Sequence, residues 1–273
     1  MGGIVLNESQ RKTIQKLELE ILVEIDRICT KHNIEYTLAY GTLIGAIRHK
    51  GFIPWDDDID ISMTRKNLER FKVICRNELN EKFFYQSNDT DPEYFHLFDK
   101  IRLNNTVFKE TFLSDYNIHH GVYVDLFAVD EIPDSSLKFN FQYYKFHFFR
   151  SGLMAKYLNL SARHGKKKVI FGILRLLYTP FSLQYLYRGA MKTVSMYNEC
   201  GGNRMINFMS SSHRREIFNK KVYSDYTRTE FEGHSFMITK HYDFLLNQIY
   251  GNYMKLPPID KRTTRHDLTD LQI

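Results

Sequence analysis

Three aspartates at alternate positions, Asp56, Asp58 and Asp60, lie within the run YTLAYGTLIGAIRHKGFIPWDDDIDISM, residues 36–63, with Ile59 and Ile61 interleaved. A strand turns successive side chains to opposite faces. Read as a strand, the segment therefore sets three carboxylates on one face and anchors the other in a core through the isoleucines. Aspartate is a poor strand former, and three parallel carboxylates repel one another unless a cation sits among them. Their hard oxygens suit Mg²⁺ or Mn²⁺. The competing reading is a surface turn after Pro54. Upstream, residues 35–40 read as a strand ending at Gly41-Thr42, and Leu43, Ile44, Ala46 and Ile47 continue as an apolar helix. A strand that breaks at Gly beside a hydroxyl residue and enters a helix aims backbone N–H groups at an anion. Gly41 and Thr42 are thus candidate phosphate contacts.

Two further stretches carry chemistry. In GVYVDLFAVDEIP, 121–133, Val122, Val124, Leu126 and Ala128 share one face of an expected strand, and Tyr123, Asp125 and Phe127 the other. A lone Asp in an apolar strand is costly unless paired, hydrogen-bonded or on a metal. Asp125 is therefore a candidate proton acceptor or metal ligand, and Asp130 reads as a turn residue before Pro133. The segment 96–110 reads as a hairpin turning at Asn104-Asn105. Lys100 and Arg102 share one of its faces, either in solvent or gripping a diphosphate.

Thr42 is followed 16 positions later by Asp58-Ile59-Asp60, a layout that resembles the polymerase-β-like nucleotidyltransferase fold. The stretch is closer still to the LicD family, the phosphocholine transferases of bacterial surface glycans, related to fukutin and fukutin-related protein. The residues that carry the resemblance are Tyr40-Gly41-Thr42-Leu43, Gly45-Ala46, Arg48 through Trp55, and Asp56 through Ile61. So long a continuous match is specific, where a lone Gly-Thr or Asp-x-Asp is weak. The resemblance implies an α+β fold: a mixed sheet flanked by helices, with an inserted or appended helical subdomain. It implies a CDP-activated donor such as CDP-choline, with Gly41, Thr42, Arg48, Lys100 and Arg102 on its phosphates. A divalent ion on Asp56, Asp58, Asp60 and Asp125 and a glycan acceptor, free or lipid-linked, complete the expected reaction. Asp58, Asp60 and Asp125 are its expected catalytic residues. The tail from Glu230 resembles the family again, with Arg262 and His266 as candidates to close over the donor phosphates. It departs from the family at Thr239, near which a Pro is expected, and at Asn252, where an Asp is expected. The alternatives are a glycosyltransferase with an Asp-x-Asp metal site and a catalytically silent binding protein. The former usually places a long nucleotide domain ahead of its motif, and only 55 residues precede Asp56.

The elements that must position these groups follow from periodicity. Ile14, Leu17, Ile21, Leu22, Ile25 and Ile28 predict a helix over 8–31 that packs behind the sheet. Thr64 can cap a helix over 65–79 with Leu68, Phe71, Cys75 and Leu79 as its stripe. Residues 83–86 read as a strand and 88–92 as a turn. Residues 236–238 read as a short strand, after which Thr239 can cap a helix that stops at Gly251. Between Asp134 and Glu199 acidic residues vanish and aromatic and basic ones mix. About three helices are expected there, broken near Ser161–Gly165 and at Pro180. The expected organisation is a catalytic core over 1–135, a basic helical subdomain over 136–229 and a returning segment over 230–273.

The 273 residues are 43% hydrophobic, 15% aromatic and 26% charged, values of a globular chain. A net charge of +6 and a pI of about 9.0 admit a phosphorylated substrate or an anionic membrane face. No nucleic-acid-reading module is recognisable. The contact with a membrane needs Lys166, Lys167, Lys168 and Arg175 near one exposed face. Three scattered cysteines, at 29, 75 and 200, exclude a disulfide framework and a four-Cys zinc site, and Cys29 and Cys75 read as core residues. The absence of a signal-type run and of a long apolar stretch leads to the expectation of a cytoplasmic protein.

Overall fold

The computed structural model describes residues 4–158, 165–210, 212–263 and 266–273, with the side chains of Lys167 and His213 outside that description. It is a mixed α/β chain with seven α-helices among the described residues. The first, α1 (Glu8–Lys31), matches its expected span and opens with a reciprocal capping box between Asn7 and Gln10. Its Ile14, Ile21, Leu22, Ile25 and Ile28 are fully buried. Next come β1 (Thr37–Leu38), α2 (Tyr40–His49), β2 (Asp60–Thr64) and α3 (Arg65–Glu78). The Thr64 hydroxyl accepts the Asn67 N–H, the cap expected for α3.

The main sheet continues with β3 (Phe83–Gln86), β4 (Asp99–Leu103) and the long β6 (Tyr123–Ile132), in the order β1-β2-β6-β4-β3. Among the described residues only β2 and β6 run parallel. The far half of β6 pairs with β7 (Arg204–Ile206), which pairs in turn with β8 (Ile217–Asn219). Small two-stranded sheets join β5 (Val107–Glu110) to β11 (Leu268–Gln272), and β9 (Tyr226–Phe231) to β10 (His234–Thr239). Among the described residues of the basic aromatic stretch there are three α-helices, α4 (Ser136–Tyr157), α5 (Gly165–Leu177) and α6 (Leu183–Val194), with Pro180 between the last two. Apart from Gly165, the break expected over 161–165 lies outside the described residues. The last helix is α7 (Tyr242–Tyr250). One apolar core joins α1, α2, α3 and the sheet, and a second joins α4 and α6 to Tyr94, Leu97, Leu113 and Phe208. No described helix is long and apolar enough to cross a membrane.

Four local expectations need correction. Strand β2 begins only at Asp60, because β1 offers just two residues of pairing; Asp56 and Asp58 precede it in an irregular run after the turn at Pro54-Trp55. Tyr40 is already helical, so Gly41 and Thr42 sit in the first turn of α2 and not at a strand end. Asn105 does turn the chain, at φ 61°, but β4 and β5 are no hairpin: both edges of β4 are taken by β3 and β6, and β5 finds β11. His241 is the residue at the start of α7; Thr239 ends β10, its hydroxyl donating to the Val222 carbonyl and accepting the His241 N–H.

Candidate active site

The site forms where the starts of β2 and β6 lie side by side. Their register sets Asp60 opposite Asp125, and Lys100 of β4 opposite Asp125 on its other side. The next rung places Gln86 of β3 beside Lys100. The Asp125 N–H donates to the Ile59 carbonyl at 2.9 Å, which fixes the register just before β2 begins. Ile59 and Ile61 are fully buried, as the alternation requires.

Asp56, Asp58 and Asp60 all line one cleft of ≈ 390 Å³, together with Gly41, Arg48, Lys255 and Lys261. Asp57, between two of them, is 1% exposed and is not among the residues lining the cleft. The first turn of α2 shapes this cleft. A Cβ at Gly41 would collide with the Asp56 carboxylate. The Thr42 hydroxyl is buried and accepts the Asp60 N–H at 2.9 Å. Gly41 thus makes room for one carboxylate and Thr42 holds the backbone of another. From α1, Gln15 donates to the Asp56 carbonyl at 2.8 Å.

The electrostatics are those of crowded anions. Burial raises the Asp60 pKa well above the carboxylate range, and Asp58, Asp125 and Asp56 raise it further against the pull of Lys100. Asp125 is also raised, by burial first, with Lys100 at 2.7 Å opposing. One carboxylate oxygen from each of Asp56, Asp57 and Asp58 lies within 4.8 Å of the others. An all-oxygen anionic set of this kind fits a hard divalent ion.

Lys100 and Arg102 are buried. Lys100 Nζ sits on Asp125 and 3.1 Å from the Tyr123 ring centroid. Arg102 donates to Gln86 at 2.5 Å and to the Gly121 carbonyl at 2.6 Å. The cations that line the cleft are instead Arg48, held by the Tyr253 carbonyl at 2.6 Å, and two that the sequence reading missed, Lys255 and Lys261. Asp130 is no turn residue. It lies in β6, buried and paired with Arg65 through two bonds of 2.9 and 2.8 Å.

Arg262 and His266 are not among the residues lining the cleft but contact its neighbourhood. Arg262 donates to the Pro257 carbonyl and sits 5.3 Å from the Trp55 ring. His266 lies 3.2 Å from Asp57 and 3.1 Å from the Tyr123 hydroxyl. Burial pushes its pKa down, but Asp57 and Glu110 outweigh that and raise it to about 9. Glu18, on the helix expected to do no chemistry, is 2% exposed, and its Oε2 lacks a hydrogen-bond partner among the described residues. Its pKa is raised well above the usual range by burial and then by Asp58, Asp57 and Asp56. A Glu on the core face of an amphipathic helix, one place from Leu17, was the signal available in the sequence.

A row of carboxylates thus runs from Asp56 and Asp58, just ahead of β2, to Asp60 and Asp125 on adjacent strands, with the first turn of α2 beside it. Residues 33–156, which contain that row, match the family described as "LicD/FKTN/FKRP, nucleotidyltransferase domain". The chain thus carries a LicD family domain. It is 29% identical over 261 residues to the lipopolysaccharide cholinephosphotransferase LicD of Haemophilus influenzae, covering 91% of this chain and 92% of that one. Shorter similarities link it to uncharacterized proteins of Rickettsia typhi, 38% identical over 66 residues, and Rickettsia prowazekii, 42% over 48 residues. These cover 24% and 18% of this chain and 21% and 18% of theirs.

Proposed function

We propose that the chain moves phosphocholine, or a similar phospho-alcohol, from a CDP-activated donor to a hydroxyl of a cell-surface glycan such as lipopolysaccharide. The observation that carries this reading is the content of one cleft: Asp56, Asp58 and Asp60 with the cations Arg48, Lys255 and Lys261. The name of the Haemophilus relative, matched along nearly its whole length, supports the same reaction. Tyr40, Trp55, Tyr250 and Tyr253 also line the cleft, and aromatic faces attract a quaternary ammonium. That favours choline over ribitol or glycerol. The polymerase-β-like fold belongs to this proposal.

A Mg²⁺ or Mn²⁺ ion held by Asp56, Asp58 and Asp60, with Asp125 beside them, would neutralise charge on the transferring phosphoryl group. Arg48, Lys255 and Lys261 bind the donor diphosphate, aided by the backbone N–H groups that open α2. Asp125, whose burial raises its proton affinity, takes the proton of the acceptor hydroxyl. The freed oxygen attacks phosphorus in line, the bond to the bridging oxygen breaks, and CMP leaves. Lys100 orients the Asp125 carboxylate. Arg102, through Gln86 and Gly121, braces the neighbouring strands.

Incubation with CDP-choline, CDP-ribitol, CDP-glycerol and sugar nucleotides, read by mass spectrometry, tests the proposal. CMP released fastest from CDP-choline is the expected result. Release of UDP or GDP from sugar nucleotides, with no CMP, would replace it by the glycosyltransferase reading.

A further inference from the structure

Helix α5 buries little of itself. Phe171 and Leu174 are half-buried and Tyr178, just past its end, is buried. Leu174 and Tyr178, at helical spacing, dock it on the second core. Val169, Ile170, Ile173, Leu176 and Leu177 are 63%, 54%, 57%, 74% and 66% exposed. Their spacing, i, i+1, i+4, i+7 and i+8, gathers them into one stripe on the far side of the helix from its docked residues. Such a face on a helix too short to span a bilayer fits in-plane seating at an interface.

The stripe is not isolated. On α4, Leu137, Phe141, Tyr144 and Phe148 are also exposed, at the spacing i, i+4, i+7 and i+11. Phe148 packs against Tyr178 and Phe181, where the chain leaves α5. Exposed apolar side chains gathered on two packed helices mark an interaction site.

Charge selects the occupant. Residues 135–198 hold eleven Lys and Arg and no Asp or Glu, so the rest of the chain, at an overall +6, carries a net −5. Lys166 opens the exposed stripe, and Lys168 and Arg175 lie along one flank of it, all three exposed. A protein partner apolar enough to cover the stripe would have to supply anions to match. An anionic bilayer supplies both, acyl chains beneath a sheet of phosphates.

We infer that α5, with the exposed face of α4, is a membrane-docking surface that seats this chain on anionic lipid. This goes beyond the proposed chemistry and does not rest on it. The test is co-sedimentation of the full chain with vesicles of phosphatidylcholine, alone or mixed with phosphatidylglycerol. Binding to the mixed vesicles is expected, at least about tenfold tighter than to neutral ones and weakened by salt. Ile170→Ser/Ile173→Ser/Leu177→Ser and Lys166→Gln/Lys168→Gln/Arg175→Gln should each weaken it at least about tenfold. Both variants change exposed side chains, and circular dichroism checks that each stays folded; if the apolar triple does not, the cation triple carries the test. CMP release with a soluble acceptor should be unaltered in both. Failure of the wild-type chain to pellet with anionic vesicles overturns the inference, as does undiminished binding by both variants. A dimer in solution that the apolar triple dissolves would instead assign the face to a second copy and overturn it too.

Discussion

Asp58 and Asp60 are the residues on which turnover should depend most. Asp58→Asn and Asp60→Asn keep shape and remove charge, and each should lower the rate at least roughly 100-fold, about 2.7 kcal/mol of barrier. Steady-state CMP release measures this, and near-normal rates in both would remove the metal assignment. His266 gives a separate handle. Its pKa is raised to about 9 by the anions around it, above an unfolded value near 6.5. Its stabilising contribution is therefore complete below about pH 6.5 and is lost as pH rises through about 9. In chelator, the stability gap between the wild-type chain and His266→Gln should narrow across that window; a gap independent of pH would show that the imidazolium is not held. At this scale the aspartates were legible because carboxylates at alternate positions are improbable without a task. The partners of Lys100 and Arg102 were not. Alternation shows which face a cation shares, but not that a carboxylate on the next strand lies 2.7 Å away. Lys255 and Lys261 were missed for the same reason: their neighbours are distant in sequence.

The element that sets the geometry is the first turn of α2. Gly41→Ala should leave the fold intact and displace the Asp56 carboxylate, so activity should fall by at least roughly 10-fold with little change in Tm. A matching fall in Tm would show that Gly41 matters for packing alone. Thr42→Val removes the acceptor of the Asp60 N–H. An unsatisfied buried donor costs about 1–3 kcal/mol; Thr42→Ser should recover most of it, and denaturant unfolding reads both. The helices α1 and α3 and strand β3 were legible from the sequence because apolar period and cap chemistry act locally. The hairpin at Asn104-Asn105 failed because turn chemistry predicts a reversal and not which strand receives it. The carboxylate segment failed as a strand because pairing requires a partner, and β1 has two residues.

Across the whole molecule, the cleft is lined by α2, the run that leads into β2, the end of α7 and the segment after it, and these meet only in the folded chain. A donor and ion bound there should stabilise the fold by mass action: at 100 times the dissociation constant, about 2.7 kcal/mol. Mg²⁺ with CDP-choline should therefore raise Tm by several degrees, more than either alone. No shift with any divalent ion, with or without CDP-choline, would favour a silent binding protein.

The most direct test is CMP release from CDP-choline by the wild-type chain and by Asp60→Asn, each with Mg²⁺ and with EDTA. The account predicts release only from the wild-type chain with Mg²⁺, with the other three conditions at least roughly 100-fold slower. Equal release in EDTA, or by Asp60→Asn, would contradict it.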